Sequence, residues 1–206
     1  ASTGTGGIFI AQTGDLTVGA VDAGTGNIEL DSTGDIHVLA DDATADVVAT
    51  TIDLNAATGI GAGSSFDVTG TSISAGTTNG AIELDSLATA AVTATSLTTG
   101  NGSIRFDQTG GRTLAVTQAT TGNGAITITN DNAALTTTNV NAGGSNDIQL
   151  ATTTSGNLDV SSLTAGDAIS LVSAGSITQS AGTITANGGL LNMTSNGDLD
   201  MSNYTV

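Results

Sequence analysis

Apolar and polar residues alternate in short runs along the whole chain. In GNIEL, Ile28 and Leu30 point to one side and Glu29 to the other, and the next run, DIHV, repeats the pattern. Alternation with a period of two, in runs bounded by Gly, Asn, Asp and Ser, predicts short β-strands separated by turns. The connections are too short for crossover helices, and the abundant Thr and Val residues favour strands.

One of these runs recurs at a nearly fixed interval. Residues 80–101 and 102–123 follow each other directly, have the same length, open with G-x-I-x and close on TTGN. From Ile82 onward the steps between equivalent apolar residues are 22, 22, 22, 21 and 22, and the three earlier steps are 20, 24 and 30. The recurring apolar residues are Ile8, Ile28, Ile52, Ile82, Ile104, Ile126, Ile148, Ile169 and Leu191.

A fixed period without helices predicts an all-β fold, a parallel β-helix (β-solenoid) in which residues 1–206 form a single segment. We expect about nine coils of ~20–24 residues with three short strands each, stacked ~4.8 Å apart into a rod of roughly 40 Å. A typical coil has its runs at Ile148/Leu150, Leu158/Val160 and Leu163. A barrel or a sandwich is the competing interpretation, although neither requires a repeat of residue identity.

Three details of the coils are expected from the same pattern. The stretch NAATGIGAGSS (55–65) falls in the step of 30 residues and makes one coil about eight residues longer; we interpret it as a tolerated insertion rather than a binding loop. The Gly that precedes each first strand is expected to adopt a positive φ. Asn101, Asn123 and Asn146 at the coil ends are expected to stack and to bond along the axis.

Composition and charge exclude several classes of partner. The chain has no Pro, Cys, Lys or Trp, and its formal net charge is -17, with Arg105 and Arg112 as the only basic side chains besides one His. Such a surface repels nucleic-acid phosphates and anionic membranes, so we expect no nucleic-acid binding and no membrane insertion. No apolar run approaches the ~20 residues of a membrane helix, and no disulfide can form.

No catalytic constellation is apparent in the sequence. His37 is the only His and is predicted to face outward, without a second His or any Cys to complete a transition-metal site or a Ser-His-Asp set. No aromatic platform for sugars is expected, since Phe66 and Phe106 are predicted to face inward and Tyr204 lies at the end. We therefore expect no enzyme, although hydrolysis by paired carboxylates stays formally open.

Acidic side chains are expected to form outward columns. We predict that Asp53, Glu83 and Arg105 are successive neighbours, with Arg105 offsetting Glu83, and that Asp85 and Asp107 stack one coil apart. The repulsion of such a pair is about 1 kcal/mol in water, which the apolar interior can absorb without a metal. A Ca²⁺ ion bridging Asp85 and Asp107 is the alternative; no other cofactor is expected.

Runs of Thr raise the alternative of a flat, ice-binding Thr face. The triplets at 136–138 and 152–154 resemble parts of such ladders. A regular ladder would keep Thr in every coil, yet the column of Thr127 is predicted to continue with Gln149, Ser170 and Asn192. The predicted face is therefore irregular.

The G-x-I-x-L openings, LNAATGIGAG and TTNGAIELD resemble the repeats of giant filamentous-haemagglutinin-like bacterial surface adhesins, over nearly all of the chain. The resemblance implies a right-handed parallel β-helix and a secreted, extracellular or cell-surface fibre of such coils that acts in adhesion, biofilm or cell contact. The family's secretion domain has no counterpart in these residues, and none of its binding residues can be placed on them. We expect a fragment of a longer repeat array.

The sequence thus predicts a structural, adhesive repeat segment of an extracellular bacterial fibre. Its expected partners are itself or adjoining repeats, end to end, and glycans or proteins of host or neighbouring cells. A Cys-free chain can be exported unfolded, and a chain with two Arg and no Lys offers few sites to trypsin-like proteases. The alternatives are a carbohydrate- or ice-binding module that uses one lateral face and a β-helix enzyme that degrades polysaccharides.

Overall fold

The backbone winds into a parallel β-solenoid of about nine coils. The computed structural model describes residues 1–40 and 42–201, and every strand pairing within them is parallel. The strands form two sheets that run along the solenoid, one of eleven strands and one of twelve. The predicted all-β solenoid is therefore confirmed, and the antiparallel barrel and sandwich are excluded. Tyr204 lies outside the described residues.

The strands are numbered in chain order, and the chain passes back and forth between the two sheets. The eleven-stranded sheet contains β1 (Ile8–Gln12), β4 (Asn27–Ser32), β7 (Thr51–Ala56), β10 (Ser72–Thr77), β12 (Val92–Thr99), β14 (Leu114–Thr121), β16 (Leu135–Ala142), β18 (Leu158–Ala165), β20 (Ile177–Gln179), β21 (Ile184–Ala186) and β23 (Leu199–Asp200). The twelve-stranded sheet contains β2 (Leu16–Val18), β3 (Val21–Asp22), β5 (Asp35–Val38), β6 (Val47–Val48), β8 (Gly59–Ile60), β9 (Phe66–Thr69), β11 (Ile82–Ser86), β13 (Ile104–Gln108), β15 (Ile126–Asp131), β17 (Ile148–Thr153), β19 (Ile169–Ser173) and β22 (Leu191–Ser195).

Each coil has three strand segments, and two of them merge where the turn between them is short. The predicted runs at Leu158/Val160 and at Leu163 belong to one eight-residue strand, β18, with two half-exposed serines at its middle. The next coil separates them again, since both β20 and β21 pair with β18. The cross-section with roughly three strands per coil is thus as predicted.

Stacked aliphatic columns form the interior. Ile82 pairs with Ile104, Ile104 with Ile126, and the column continues through Ile148 and Ile169. All five side chains are buried, with at most 1% of their surface exposed. Each coil shields the apolar side chains of its neighbour from water, which is the main favourable term in folding.

The early coils follow a different column from the one that the sequence pattern suggested. Ile52 pairs with Ile28 and Ile73 in the eleven-stranded sheet, whereas Ile82 pairs with Ile60 in the twelve-stranded sheet. The expectation that Ile52 and Ile82 open successive coils of one column is therefore wrong. Their 30-residue separation measures the distance between two columns and not the length of one coil.

No coil is lengthened by an insertion, so the prediction of one longer coil is also wrong. Ile60, in the middle of NAATGIGAGSS, is a fully buried column residue, 24 residues after Ile36 and 22 before Ile82. Ile60 and Phe66 lie six positions apart, while their partners Ile82 and Leu84 lie two apart. The loop between Ile60 and Phe66 therefore contains four residues more than the matching part of the next coil. The next coil contains these four extra residues elsewhere, three at the corner before β12 and one in a bulge inside β12. The loop lies at a different place in the two coils, while the step from Ile60 to Ile82 stays at 22 residues.

Glycines at one corner are required by close packing rather than by a positive φ. Gly80, Gly102 and Gly124 precede successive strands of the twelve-stranded sheet, and none of them has a positive φ, contrary to the prediction. A Cβ atom on Gly102 would collide with the carbonyl of Gly80, and one on Gly124 with the carbonyl of Gly102. The turns can therefore nest at the coil spacing only because these residues lack side chains.

Two of the three predicted asparagines, Asn123 and Asn146, bond to each other along the axis, while Asn101 bonds to Asn79 of the preceding coil. The Nδ2 of Asn101 donates to Oδ1 of Asn79 at 2.8 Å, and the Nδ2 of Asn146 donates to Oδ1 of Asn123 at 3.1 Å. These bonds join consecutive turns on the outside of the corner that the glycines keep narrow. Side-chain bonds therefore supplement the backbone ladder there.

We expect the substitution Ile126→Ala to lower the free energy of unfolding by about 3 kcal/mol, because it removes buried methyl groups and leaves a cavity between two coils. Urea denaturation followed by circular dichroism measures the effect. Thr127→Ala, the outward neighbour, is the matched control and should change stability by less than about 0.5 kcal/mol. Equal losses in the two variants would contradict the assignment of the inward column.

Candidate functional site

Four aspartates occupy one outward position in four successive coils. Asp85 pairs with Asp67 on one side and with Asp107 on the other, which confirms the predicted stack of Asp85 on Asp107. Asp46 lies opposite Asp67, because the residues that follow them, Val47 and Val68, are paired. The N–H of Asp67 also donates to Oδ2 of Asp46 at 3.0 Å. We call Asp46, Asp67, Asp85 and Asp107 the aspartate ladder.

Sequence reasoning missed the first two members of the aspartate ladder. It placed Asp53 in this neighbourhood, but Asp53 lies in the eleven-stranded sheet between Glu29 and Ser74, so the predicted contact of Asp53 with Glu83 is wrong. The alternating run FDV at 66–68 carried the signal, since it matches the buried–outward–buried pattern around Asp85.

Arg105 bonds to the aspartate ladder rather than to its neighbour in the pairing. Glu83 and Arg105 are paired, as predicted. The guanidinium, however, forms ion pairs with Asp85, at 3.6 Å between Nη1 and Oδ1, and with Asp107 through Nη2. Nη1 also donates to Oγ of Ser65 at 3.1 Å, so Arg105 spans the loop that separates β8 from β9.

Burial has the largest effect on the charge of Asp107 in the aspartate ladder. Asp46 and Asp67 expose only 8% and 7% of their surface. Burial raises the pKa of Asp107, and the charge of Asp85 raises it further, while the Arg105 guanidinium acts in the opposite direction. The free energy of the charged form of Asp107 therefore depends on Arg105.

The predicted Ca²⁺ bridge concerns the same two carboxylates. Carboxylate oxygens suit Ca²⁺, which takes six to eight oxygen ligands. Asp85 and Asp107 already share a cation, because the Arg105 guanidinium donates to Asp107 and lies within ion-pair distance of Asp85. Within residues 1–40 and 42–201, no group of three His, Cys, Asp or Glu side chains is arranged to hold a metal ion. Binding of Ca²⁺ at Asp85 and Asp107 stays a prediction, and the ion would have to compete with Arg105.

The remaining polar candidates make local structural bonds. Nε2 of His37 lies 2.7 Å from Oγ1 of Thr17, one coil away on the outer face. Arg112 donates from Nε to the carbonyl of Thr89 at 2.6 Å. Both bonds join consecutive coils on the surface.

The Thr face is irregular, as the sequence predicted. Thr127 pairs with Gln149, and the column continues with Ser170 and Asn192. In the triplet 152–154, the hydroxyls of Thr154 and Thr153 donate to Oδ1 of Asp131 at 2.7 and 2.8 Å, and they lower the pKa of that carboxyl. These hydroxyls bond to the protein and do not form a uniform array.

One exposed aromatic ring was missed in the sequence. Phe66 and Phe106 are fully buried, as predicted, but Phe9 exposes 62% of its surface on the outer face of the eleven-stranded sheet. The sequence prediction considered Phe66, Phe106 and Tyr204 and did not include Phe9. The alternation of Ile8, Phe9 and Ile10 carried the signal, because a ring between two inward residues must point outward.

A groove lies on the surface of the first four coils. It follows the corner after β1, β4, β7 and β10 and has a volume of about 460 Å³. Its walls include Ala11, Asp31, Asn55, Thr33 and Thr78. A second depression of about 180 Å³ adjoins it through Asn55 and lies over Gly76. We call the two together the corner groove.

The fold defines the chain as a parallel β-solenoid repeat protein. Within the described ranges, nothing forms a helix of the length and apolarity that crossing a bilayer requires. Comparisons with protein-family models, with curated proteins and with solved structures found no match to the sequence. The coil architecture is thus established by the structure, while the likeness to filamentous-haemagglutinin repeats rests on the sequence motifs alone.

We expect Arg105→Gln to lower the melting temperature by about 2–4 °C, because the loss of a half-exposed ion pair leaves Asp85 and Asp107 without their shared cation. Millimolar Ca²⁺ should restore part of this loss, since the ion no longer competes with the guanidinium. Scanning calorimetry with and without Ca²⁺ measures both effects.

The double variant Arg105→Gln/Asp107→Asn is the control for the calcium experiment and should not respond to Ca²⁺. If Ca²⁺ changes the melting temperature of all variants equally, or of none, the calcium hypothesis is wrong.

Proposed function

We propose that the chain is a structural repeat segment of an extracellular bacterial fibre. The observation that supports this proposal is the uniform register, in which the same inward column passes from coil to coil along the twelve-stranded sheet. Because each coil contacts mainly its two neighbours, such a stack extends in one direction without a change in design. Since further coils can be added only along the axis, the assembly that we expect from this geometry is a fibre.

The two end coils of the described solenoid offer pairing surfaces. Strand β1 pairs with β4 on one side, and Ile8, Ile10 and Leu16 are only partly buried in this coil. Leu191 and Met193 are likewise partly buried in the last coil. A strand edge with adjacent apolar side chains readily accepts another strand. In our proposal, adjoining repeats or a second copy of the chain continue the stack end to end.

The chemistry of the surface agrees with a place outside the cell. A chain without Cys can be exported unfolded without mispaired disulfides, and one with two Arg and no Lys resists trypsin-like proteases. The net charge of -17 disfavours nucleic acids and anionic membranes as partners. Our proposal assigns the segment a spacing and adhesive role, and no catalytic role.

Immunogold electron microscopy tests the proposal on cells that produce the protein. Antibodies raised against the 206-residue chain should label extracellular filaments at many points along their length, because the repeat is part of the filament body. Serum adsorbed with the purified chain is the control and should not label. Label confined to the cell interior, or to discrete globular particles, would show that the proposed function is wrong.

A further inference from the structure

The corner groove has the shape of a site for an extended chain. Its floor follows one outward column through five successive coils, in the order Ala11, Asp31, Asn55, Gly76 and Thr98. At the coil spacing this column is about 19 Å long. The groove therefore runs along the solenoid axis and is open at its sides, so that it accommodates a linear ligand of several units.

A missing side chain deepens the groove at one point. Gly76 is the only member of this five-residue column without a side chain, and its φ is not positive, so the backbone does not require glycine there. A Cβ atom at Gly76 would meet Oδ1 of Asn55 at 3.4 Å and Oγ1 of Thr98 at 3.6 Å, which are ordinary contacts. The backbone in this column thus lies open to a ligand.

Phe9 provides an apolar surface next to the groove, although its side chain lines neither of the two depressions. It lies two residues before Ala11 on the same outward face, and its ring is 62% exposed. An exposed ring of this size gains free energy when a flat, partly apolar ligand covers it. A pyranose ring has such a face, because its axial C–H groups form an apolar patch.

Polar groups beside the ring supply hydrogen bonds at regular spacing. Glu29 pairs with Phe9, and Asp53 follows in the next coil. Carboxylate, amide and hydroxyl groups thus form two adjacent rows. Neighbours within a row are ~4.8 Å apart along the axis, and the two rows are about 7 Å apart along the strand direction. Their oxygens accept hydrogen bonds, so they suit a ligand that is rich in hydroxyl donors.

The charge of this region restricts the ligand further. Residues 1–67 contain ten of the nineteen acidic residues and no Lys or Arg. An acidic polysaccharide would be repelled from the groove, since like charges at these distances interact unfavourably. Charge alone would attract a basic peptide, but it would do so over the whole surface and would need neither the ring nor the depression at Gly76.

From these features together we propose that the corner groove, with Phe9 as a stacking platform, binds an uncharged polysaccharide chain. The sugar ring at one end covers Phe9, and hydroxyl groups of the following units donate to Asp31, Asp53 and Asn55. The proposal goes beyond a role as a fibre segment, since it assigns a ligand to one surface of the chain.

Binding of neutral hexasaccharides of glucose and of N-acetylglucosamine tests the proposal. Titration followed by amide NMR should perturb Phe9, Asn55 and Gly76 in the wild-type chain. Phe9→Ala should weaken binding by about ten-fold or more, because it removes the apolar platform. Gly76→Thr places a side chain in the depression next to Thr98 and should weaken binding. Circular dichroism should show that the fold is kept.

Leu39→Ala is the matched control, because Leu39 is another large exposed apolar residue, at 73%, and it follows β5 in the twelve-stranded sheet rather than the sheet that carries Phe9. It should leave hexasaccharide binding unchanged. The proposal is overturned if neither hexasaccharide perturbs the groove, or if Phe9→Ala and Gly76→Thr bind as tightly as Leu39→Ala. It is also overturned if hexalysine alone perturbs these amides, since the groove would then be a charge-driven peptide site.

Discussion

Stacking of aliphatic side chains between parallel coils is the interaction on which the whole molecule depends. Each interior strand bonds through its backbone to two neighbouring coils, and this bonding fixes which side chains lie above one another. The buried isoleucine column from Ile82 to Ile169 follows from it, and so does the close nesting of Gly80, Gly102 and Gly124. With two aromatic rings buried and no disulfide, many small aliphatic contacts maintain the fold.

The fold was predictable because its signal is repeated many times. A period of about 22 residues and an alternation of two together specify coil length, strand direction and inward face, so an error in one coil does not alter the result. Residue-level pairing was harder to predict where the repeat was written only once. The sequence motif places Ile52 and Ile82 in one column, yet the 30-residue step conceals Ile60, because GIG hardly resembles the G-x-I-x-L opening.

The candidate sites show the same division. Stacking of Asp85 on Asp107 follows directly from the period, and the structure confirms it. Asp46 and Asp67 escaped prediction because they precede the regular repeats, and the partners of Arg105 because a long side chain reaches past its paired neighbour. The corner groove depends on outward residues such as Gly76, which a pattern of inward residues does not encode.

The displaced loop between β8 and β9 has a consequence for how such a surface can change. The extra residues lie in the middle of one face in one coil and at a different corner in the next, while Ile60 and Ile82 stay one coil apart. The positions of the buried columns therefore do not depend on where the surface loops lie. During evolution, such chains can gain or lose surface loops, clefts and exposed rings in single coils. The buried columns through which neighbouring coils pack stay the same.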